Sequence, residues 1–229
     1  MKSIIRLLAS ILVISSCATA RTESVAVAEF ERKLAEPKVQ LLDVRTAREY
    51  ERGHLKSSLQ ANWLDQKEFA ERTQHLDKSV PVLVYCASGG RSAAAMKWLE
   101  TQRFENVINL KGGISGWKMA GKKVVAPVAA AAMTVADFKA AVQAGTVLVD
   151  VGAAWCPPCK KMEPVLKSLQ QESGVSFNLV KVDGATDIAV MKQLRAEVLP
   201  TFVVFKNGKE TWRKQGIVSL ADLKAALAQ

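Results

Sequence analysis

Four cysteines, Cys17, Cys86, Cys156 and Cys159, are the residues whose type and spacing most directly promise chemistry in this 229-residue chain. Cys156-Pro157-Pro158-Cys159 is a C-x-x-C pair that follows the apolar run Val147–Val151 and opens a helical stretch. At a helix N-terminus, free N–H groups and the dipole favour a thiolate on the first cysteine, and the spacing lets the second close a disulfide. Proline at both central positions fixes φ and pre-shapes the turn. Zinc is the alternative use of any C-x-x-C, but it needs about two more ligands, and no second pair or nearby His offers them. The redox reading is therefore preferred.

Cys86 ends the strand-like run Pro81–Tyr85 and is followed by Ala87-Ser88-Gly89-Gly90-Arg91-Ser92, after which Ala93–Leu99 reads as helix. Small residues and two glycines let backbone N–H groups converge on an anion, and the start of a helix adds positive potential. Arg91 is expected to lower the thiol pKa further by its permanent charge. An ordinary cysteine at a strand end is a small buried hydrophobe. The loop behind Cys86 favours a reactive thiolate instead.

These sites need strands and helices to hold them, and the chain supplies both in two blocks. Strand-like runs at Val39–Val44, Val80–Tyr85 and Val107–Leu110 alternate with helical stretches at Ser24–Leu34 and Ser92–Gln102, the rhythm of a parallel α/β sheet. An alanine-rich joint spans 122–132. Beyond it, Thr134-x-x-Asp137 resembles a capping box, and strands are expected at Val147–Val151, Phe177–Val182, Thr201–Phe205 and Glu210–Lys214, the last two around an Asn207-Gly208 turn. The expected fold class is α/β in two domains, residues 24–125 with a parallel sheet and 133–229 with a mixed one.

The first twenty residues carry Lys2 and Arg6, an apolar stretch from Leu7 to Ile14 and then small residues, an export-signal pattern. Cleavage is expected either after Ala20 or before Cys17, where Ile14-Ser15-Ser16-Cys17 looks like a lipobox and Cys17 is the candidate for lipidation. This implies a periplasmic or cell-envelope protein, with outer-membrane anchoring if Cys17 is acylated. Hydrophobic residues make up 49% and charged residues 24%, which argues against disorder or a rod. The net charge of +10 is spread over both blocks without a basic stripe, so no nucleic-acid partner is expected.

With these residues in view, the first block resembles the single-domain rhodanese sulfurtransferases. The likeness rests on Leu41-Leu42-Asp43-Val44-Arg45, Glu49-Tyr50, Gly53-His54-Leu55, the Cys86–Ser92 loop and Leu110-Lys111-Gly112-Gly113-Ile114-Ser115-Gly116-Trp117. It implies that Cys86 takes sulfane sulfur from a donor as a persulfide, that Ala87, Ser88, Gly89, Gly90, Arg91 and Ser92 cradle it, and that His54 is structural. Related phosphatases and arsenate reductases have five residues between Cys and Arg; here there are four. The tighter loop suits sulfur. Lys56-Ser57-Ser58-Leu59 departs from the family's usual Gly-Ala and bears on packing.

The second block resembles thioredoxin over Thr134 to Gln229. The likeness implies that Cys156 attacks, Cys159 resolves, Asp150 accepts or relays the proton, and Trp155, Leu199 and Pro200 contact the substrate, with Leu199-Pro200 cis. Pro157 stands where thioredoxins usually have Gly, and Leu179 aligns with their buried Lys, so proton transfer is expected to differ. No cofactor or metal is expected. The expected partners are a sulfane sulfur donor, thiol or disulfide protein substrates and a membrane electron donor. Three uses of the fusion follow: a sulfur relay from Cys86 to the dithiol, a general disulfide-exchange protein with an independent first domain, or a first domain that only recruits a partner.

Overall fold

The computed structural model describes residues 21–125, 132–172, 174 and 176–228. The export signal, Cys17 and most of the alanine-rich joint lie outside the described residues.

The first domain runs β1 (Arg21–Val25), α1 (Val27–Leu34), β2 (Gln40–Asp43), α2 (Ala47–Glu51), β3 (Leu59–Gln60), α3 (Gln66–Thr73), β4 (Val82–Tyr85), α4 (Gly90–Thr101), β5 (Asn106–Leu110) and α5 (Gly113–Met119). Its five strands are all parallel, in the order β1-β5-β4-β2-β3. The continuous apolar run of β4 is explained by its central place, covered on both faces. Val82 and Val84 join one core layer with Phe69, Leu99 and Phe104, while Leu83 and Tyr85 join the other with Phe30, Ile114 and Trp117. This alternation puts the C-terminal ends of β2, β3, β4 and β5 at one sheet margin, where the Cys86 loop lies.

Two local readings are corrected. Ser24–Leu34 was expected to be helical, but Ser24 and Val25 belong to β1, which pairs with Asn109 and Leu110 of β5, and the helix starts at Val27. The Asn109 amide also donates to Ser24 Oγ at 3.0 Å. The helix expected from Ser92 begins at Gly90, after Gly89 in the left-handed region (φ 100°).

Polar anchors fix the margin. Asp43 is fully buried and accepts from Arg45 at 2.5 and 2.9 Å, and Arg45 also donates to the Gly53 carbonyl at 2.8 Å. In the departing Lys56–Leu59 segment, Ser57 takes φ 63° and Ser58 Oγ donates to the Leu55 carbonyl and meets the Tyr85 hydroxyl at 3.0 Å. That departure is accommodated by the left-handed Ser57 and the hydrogen bonds of Ser58. His54 stacks on Tyr50 with ring centroids 3.7 Å apart and bridges Val125, a structural position.

The second domain runs α6 (Val135–Ala141), β6 (Thr146–Gly152), α7 (Pro157–Glu172), β7 (Asn178–Asp183), α8 (Ile188–Leu194), β8 (Thr201–Lys206), β9 (Lys209–Gln215) and α9 (Leu220–Ala228). The mixed sheet has the order β7-β6-β8-β9, with β6 parallel to β7 and antiparallel to β8. Val147, Val149 and Val151 pack beneath α6 and α8, and Leu148 with Phe202 and Val204 packs beneath α7 and α9. Thr134 caps α6 in a full capping box with Asp137.

Gly113 holds α5 against the Cys86 loop. It has φ 57°, and an added Cβ would lie 2.5 Å from the Cys86 carbonyl oxygen. Gly121 has a similar φ of 71° but open space around it. Gly121→Ala is expected to cost about 1 kcal/mol, the backbone penalty alone. Gly113→Ala adds a clash with backbone and is expected to cost about 3 kcal/mol or more. Urea denaturation of both variants checks this difference, and equal costs would contradict the packing role given to Gly113.

Candidate functional site

Cys86 stands one residue past β4 and is 1% exposed. The Gly89 N–H donates to its Sγ at 3.1 Å. Two bonds from the start of α5, Ile114 N–H to the Cys86 carbonyl at 2.8 Å and Ser115 N–H to the Ala87 carbonyl at 3.1 Å, hold the loop from behind. Burial raises the thiol pKa, but the Ser92 hydroxyl and the N–H groups of Ser92, Gly89 and Ser88 together outweigh it and hold Cys86 below its ordinary value. Small residues at 87–90 leave no side chain between these donors and the sulfur. The arrangement can stabilise a thiolate.

Arg91 has a second partner that the sequence did not show. Its guanidinium makes a two-point pair with Glu49 at 2.6 and 2.9 Å and holds that carboxylate at about 2. Hydrogen bonds lead in lowering Cys86, and the Arg91 charge, which is coupled to the thiolate, acts in the same direction. Arg91 also ties the loop to α2, whose N-cap Thr46 forms a capping box with Glu49.

Cys156 precedes α7 and forms a disulfide with Cys159, their Cα atoms 5.2 Å apart. Cys159 N–H points at Cys156 Sγ at 3.3 Å, a free donor of the helix start. Behind the pair, Asp150 and Cys159 border Gly152 from two sides: a Cβ there would sit 3.5 Å from both Asp150 Oδ1 and Cys159 Sγ. Burial, with help from Glu163, pushes the Asp150 carboxyl up to about 6 against the pull of Lys181. Asp150 therefore keeps its proton up to about pH 6, and it shares the border of Gly152 with the sulfur that leaves when the disulfide opens. A cavity of about 460 Å³ lined by Asp150, Cys159, Glu163 and Lys181 opens onto this spot.

Lys181 was missed by the sequence reading. It is the register partner of Asp150 across β6 and β7, whereas Leu179 stands opposite Leu148. Strand alternation puts Leu179 and Lys181 on one face, which is the signal that could have found it.

The Leu199-Pro200 bond is cis. Trp155 and Cys156 form a buried cluster with Tyr50 of the first domain, and Leu199 and Ala47 pack against it. The two domains meet at this cluster. Gln60 N–H of β3 donates to the Trp155 carbonyl at 2.7 Å, and the Arg72 guanidinium of α3 lies 4.9 Å from the Trp155 ring. Gln60, Asp43 and Tyr85 are register partners across three strands, so Trp155 extends that row at roughly 14 Å from the residue before Cys86. The two sulfur sites are neighbours along one row, not in contact.

A rhodanese-like domain model matches residues 26–120 and a thioredoxin model matches residues 129–229. Thioredoxin Y, chloroplastic, of Oryza sativa subsp. japonica is 40% identical over 70 residues, 31% of this chain and 42% of that protein. Thioredoxin X, chloroplastic, of Arabidopsis thaliana is 38% identical over 80 residues, 34% of this chain and 44% of that protein. The chain thus spans less than half the length of these two relatives. A thioredoxin of Chlamydia caviae is 39% identical over 82 residues, 35% of this chain and 78% of that protein.

Two outcomes are expected from this geometry. Ser92→Ala removes a hydroxyl that favours the Cys86 thiolate, so the pH profile of iodoacetamide alkylation at Cys86 moves upward and the rate at neutral pH falls on the order of tenfold. An unmoved profile would remove Ser92 from the site. The Asp150 carboxyl is raised from 3.8 to about 6, so the folded state prefers it protonated. Below about pH 4 folded and unfolded chains are both protonated and there is no penalty; between about 4 and 6 the unfolded chain ionises first and stability falls. Asp150→Asn should therefore raise stability at pH 7 by about 2 kcal/mol and leave it unchanged near pH 3.5, as read by urea unfolding.

Proposed function

We propose that this chain, which belongs to the thioredoxin family and carries a rhodanese-like domain ahead of its thioredoxin domain, is a sulfurtransferase coupled to a thiol-disulfide oxidoreductase. Cys86 takes a sulfane sulfur from a donor as Cys86–S–SH. The reduced Cys156 thiolate then attacks the outer sulfur, which moves to Cys156 while Cys86 leaves as thiolate. Cys159 attacks the Cys156 sulfur of this new persulfide, forms the Cys156–Cys159 disulfide and expels hydrosulfide. The two electrons that reduce sulfane sulfur to sulfide come from the dithiol, and a proton can move through Asp150 beside Cys159. An external thiol donor must then reduce the disulfide for the next turnover.

The observation that carries this reading is α2. One five-residue helix supplies Glu49, which holds Arg91 of the sulfur loop, and Tyr50, which packs against Trp155 at a centroid distance of 6.0 Å. A covalent fusion also raises the concentration of one site at the other to the order of mM. Direct transfer needs the two sulfurs within bonding reach, so it runs from a domain arrangement other than the docked one. The signal pattern of residues 1–20 supports action in the cell envelope, with a membrane electron donor as the source of reducing equivalents.

The test is a single turnover. Pre-reduced protein is loaded at Cys86 with one equivalent of sulfane sulfur, and sulfide release is followed in wild type and Cys156→Ser. The expected result is release at a rate independent of protein concentration in wild type, reduced at least about 100-fold in the variant. A stable persulfide on Cys86 beside a reduced dithiol would instead mean separate substrates for the two domains.

A further inference from the structure

The side of Cys156 from which an external thiol would come is covered by the chain's own first domain. Cys156 is 0% exposed and Trp155 6%. The cover is assembled from three first-domain elements. Tyr50 and Ala47 of α2 pack on Trp155 and Cys156, Gln60 of β3 donates its N–H to the Trp155 carbonyl, and Arg72 of α3 lies over the indole. Arg72 is itself aimed: its guanidinium donates to the Gln60 side-chain oxygen and pairs with Glu68 at 3.0 Å. The Gln60 amide in turn donates to the Arg45 carbonyl at 2.5 Å. The docking residues are thus held by the first domain's own framework.

The contact has the marks of a separable one. Between Gln60 and Trp155 it uses a single backbone hydrogen bond at the short edge strand β3. It also buries the Trp155 Nε1–H without an acceptor among the described residues. A buried donor without a partner weakens the docked state relative to one in which the indole meets water. A cleft of about 680 Å³ lies between α3, including Arg72, and the Pro158, Val198, Leu199 and Ile217 surface.

We propose that the α2–β3–α3 face of the rhodanese-like domain is a docking surface for the Trp155–Cys159 turn of the same chain, and that docking withholds the disulfide from external thiols until the domains part. Thiol–disulfide exchange requires the incoming thiolate to approach a sulfur along the S–S axis. For a dithiol reductant, its first sulfur bonds to Cys156, the Cys156–Cys159 bond breaks and Cys159 leaves as thiolate. The second reductant sulfur then displaces Cys156, and the reductant departs as a cyclic disulfide having given up two electrons. Attack at Cys156 cannot begin while its Sγ is covered. The inference goes beyond the relay, since it concerns the oxidised pair and needs no sulfane sulfur.

The experiment uses the full chain, oxidised, with dithiothreitol as probe. Reduction is followed by quenching and alkylating samples for intact-mass analysis, counting the thiols gained at Cys156 and Cys159. If opening must precede attack, the wild-type rate levels off as dithiothreitol is raised, because opening becomes limiting. Arg72→Glu and Gln60→Pro, which remove the cation over Trp155 and the N–H donor, should raise the rate about tenfold and restore linear dependence. The plateau in wild type needs no variant, so a substitution that fails to fold leaves the test intact. A wild-type rate linear in dithiothreitol throughout, or a plateau that folded variants leave unmoved, overturns the proposal. Because Cys86 carries no sulfur here, a failed relay and a failed cover give different results.

Discussion

A sulfur anion held inside a protein must find hydrogen-bond donors there, because burial alone drives a thiol toward its neutral form. The rest of this structure is arranged around that constraint. Cys86 sits at a strand end where the N–H groups of Ser88, Gly89 and Ser92 and the Ser92 hydroxyl converge, and these overcome the cost of burial. Positive φ at Gly89 shapes the loop toward the sulfur, and positive φ at Gly113 lets the start of α5 back the loop at the Cys86 and Ala87 carbonyls. The second site meets the same need with Cys159 N–H at the start of α7. Burial pushes its proton partner, Asp150, in the same sense, and there it wins, raising the carboxyl to about 6. One requirement, met twice, explains why both reactive cysteines lie where a strand hands over to a helix.

The margin of the parallel sheet joins the two solutions. Asp43 and Arg45 form a buried pair whose partners include the Gly53 carbonyl, while the Arg45 carbonyl accepts from Gln60. Breaking such a pair from one side leaves an uncompensated charge and is costly, so it makes a firm base. On that base β3 presents its free edge N–H to Trp155. Edge strands are ready-made templates for pairing, and here the template is used within the chain. The geometry that fixes the sulfur loop through Glu49 and Arg91 therefore also fixes the place where the redox turn docks.

What was legible in the sequence was local. The Cys86–Ser92 loop, the C-x-x-C pair, the Asn207-Gly208 turn and the capping box at Thr134 are each written in a few adjacent residues, and their chemistry follows from types and spacing. What was not legible depends on partners far away in the chain. Ser24 and Val25 read as helix because their strand partners lie on β5, past three intervening strands. Arg91 was legible as a charge near Cys86, but its pairing with Glu49, on a separate short helix, was not. Lys181 was passed over because its meaning comes from register with Asp150. The Gln60 to Trp155 bond crosses between domains, and no local pattern announces it.

The central claim is that sulfur passes between the two domains of one chain. The most direct measurement is to locate the sulfur itself in a Cys159→Ser variant, in which the resolving step is blocked. One equivalent of sulfane sulfur is added to the reduced variant, free thiols are capped, and peptides are mapped by mass spectrometry. The account predicts the added sulfur on Cys156. Sulfur that stays on Cys86, with Cys156 recovered as a free thiol, would contradict it.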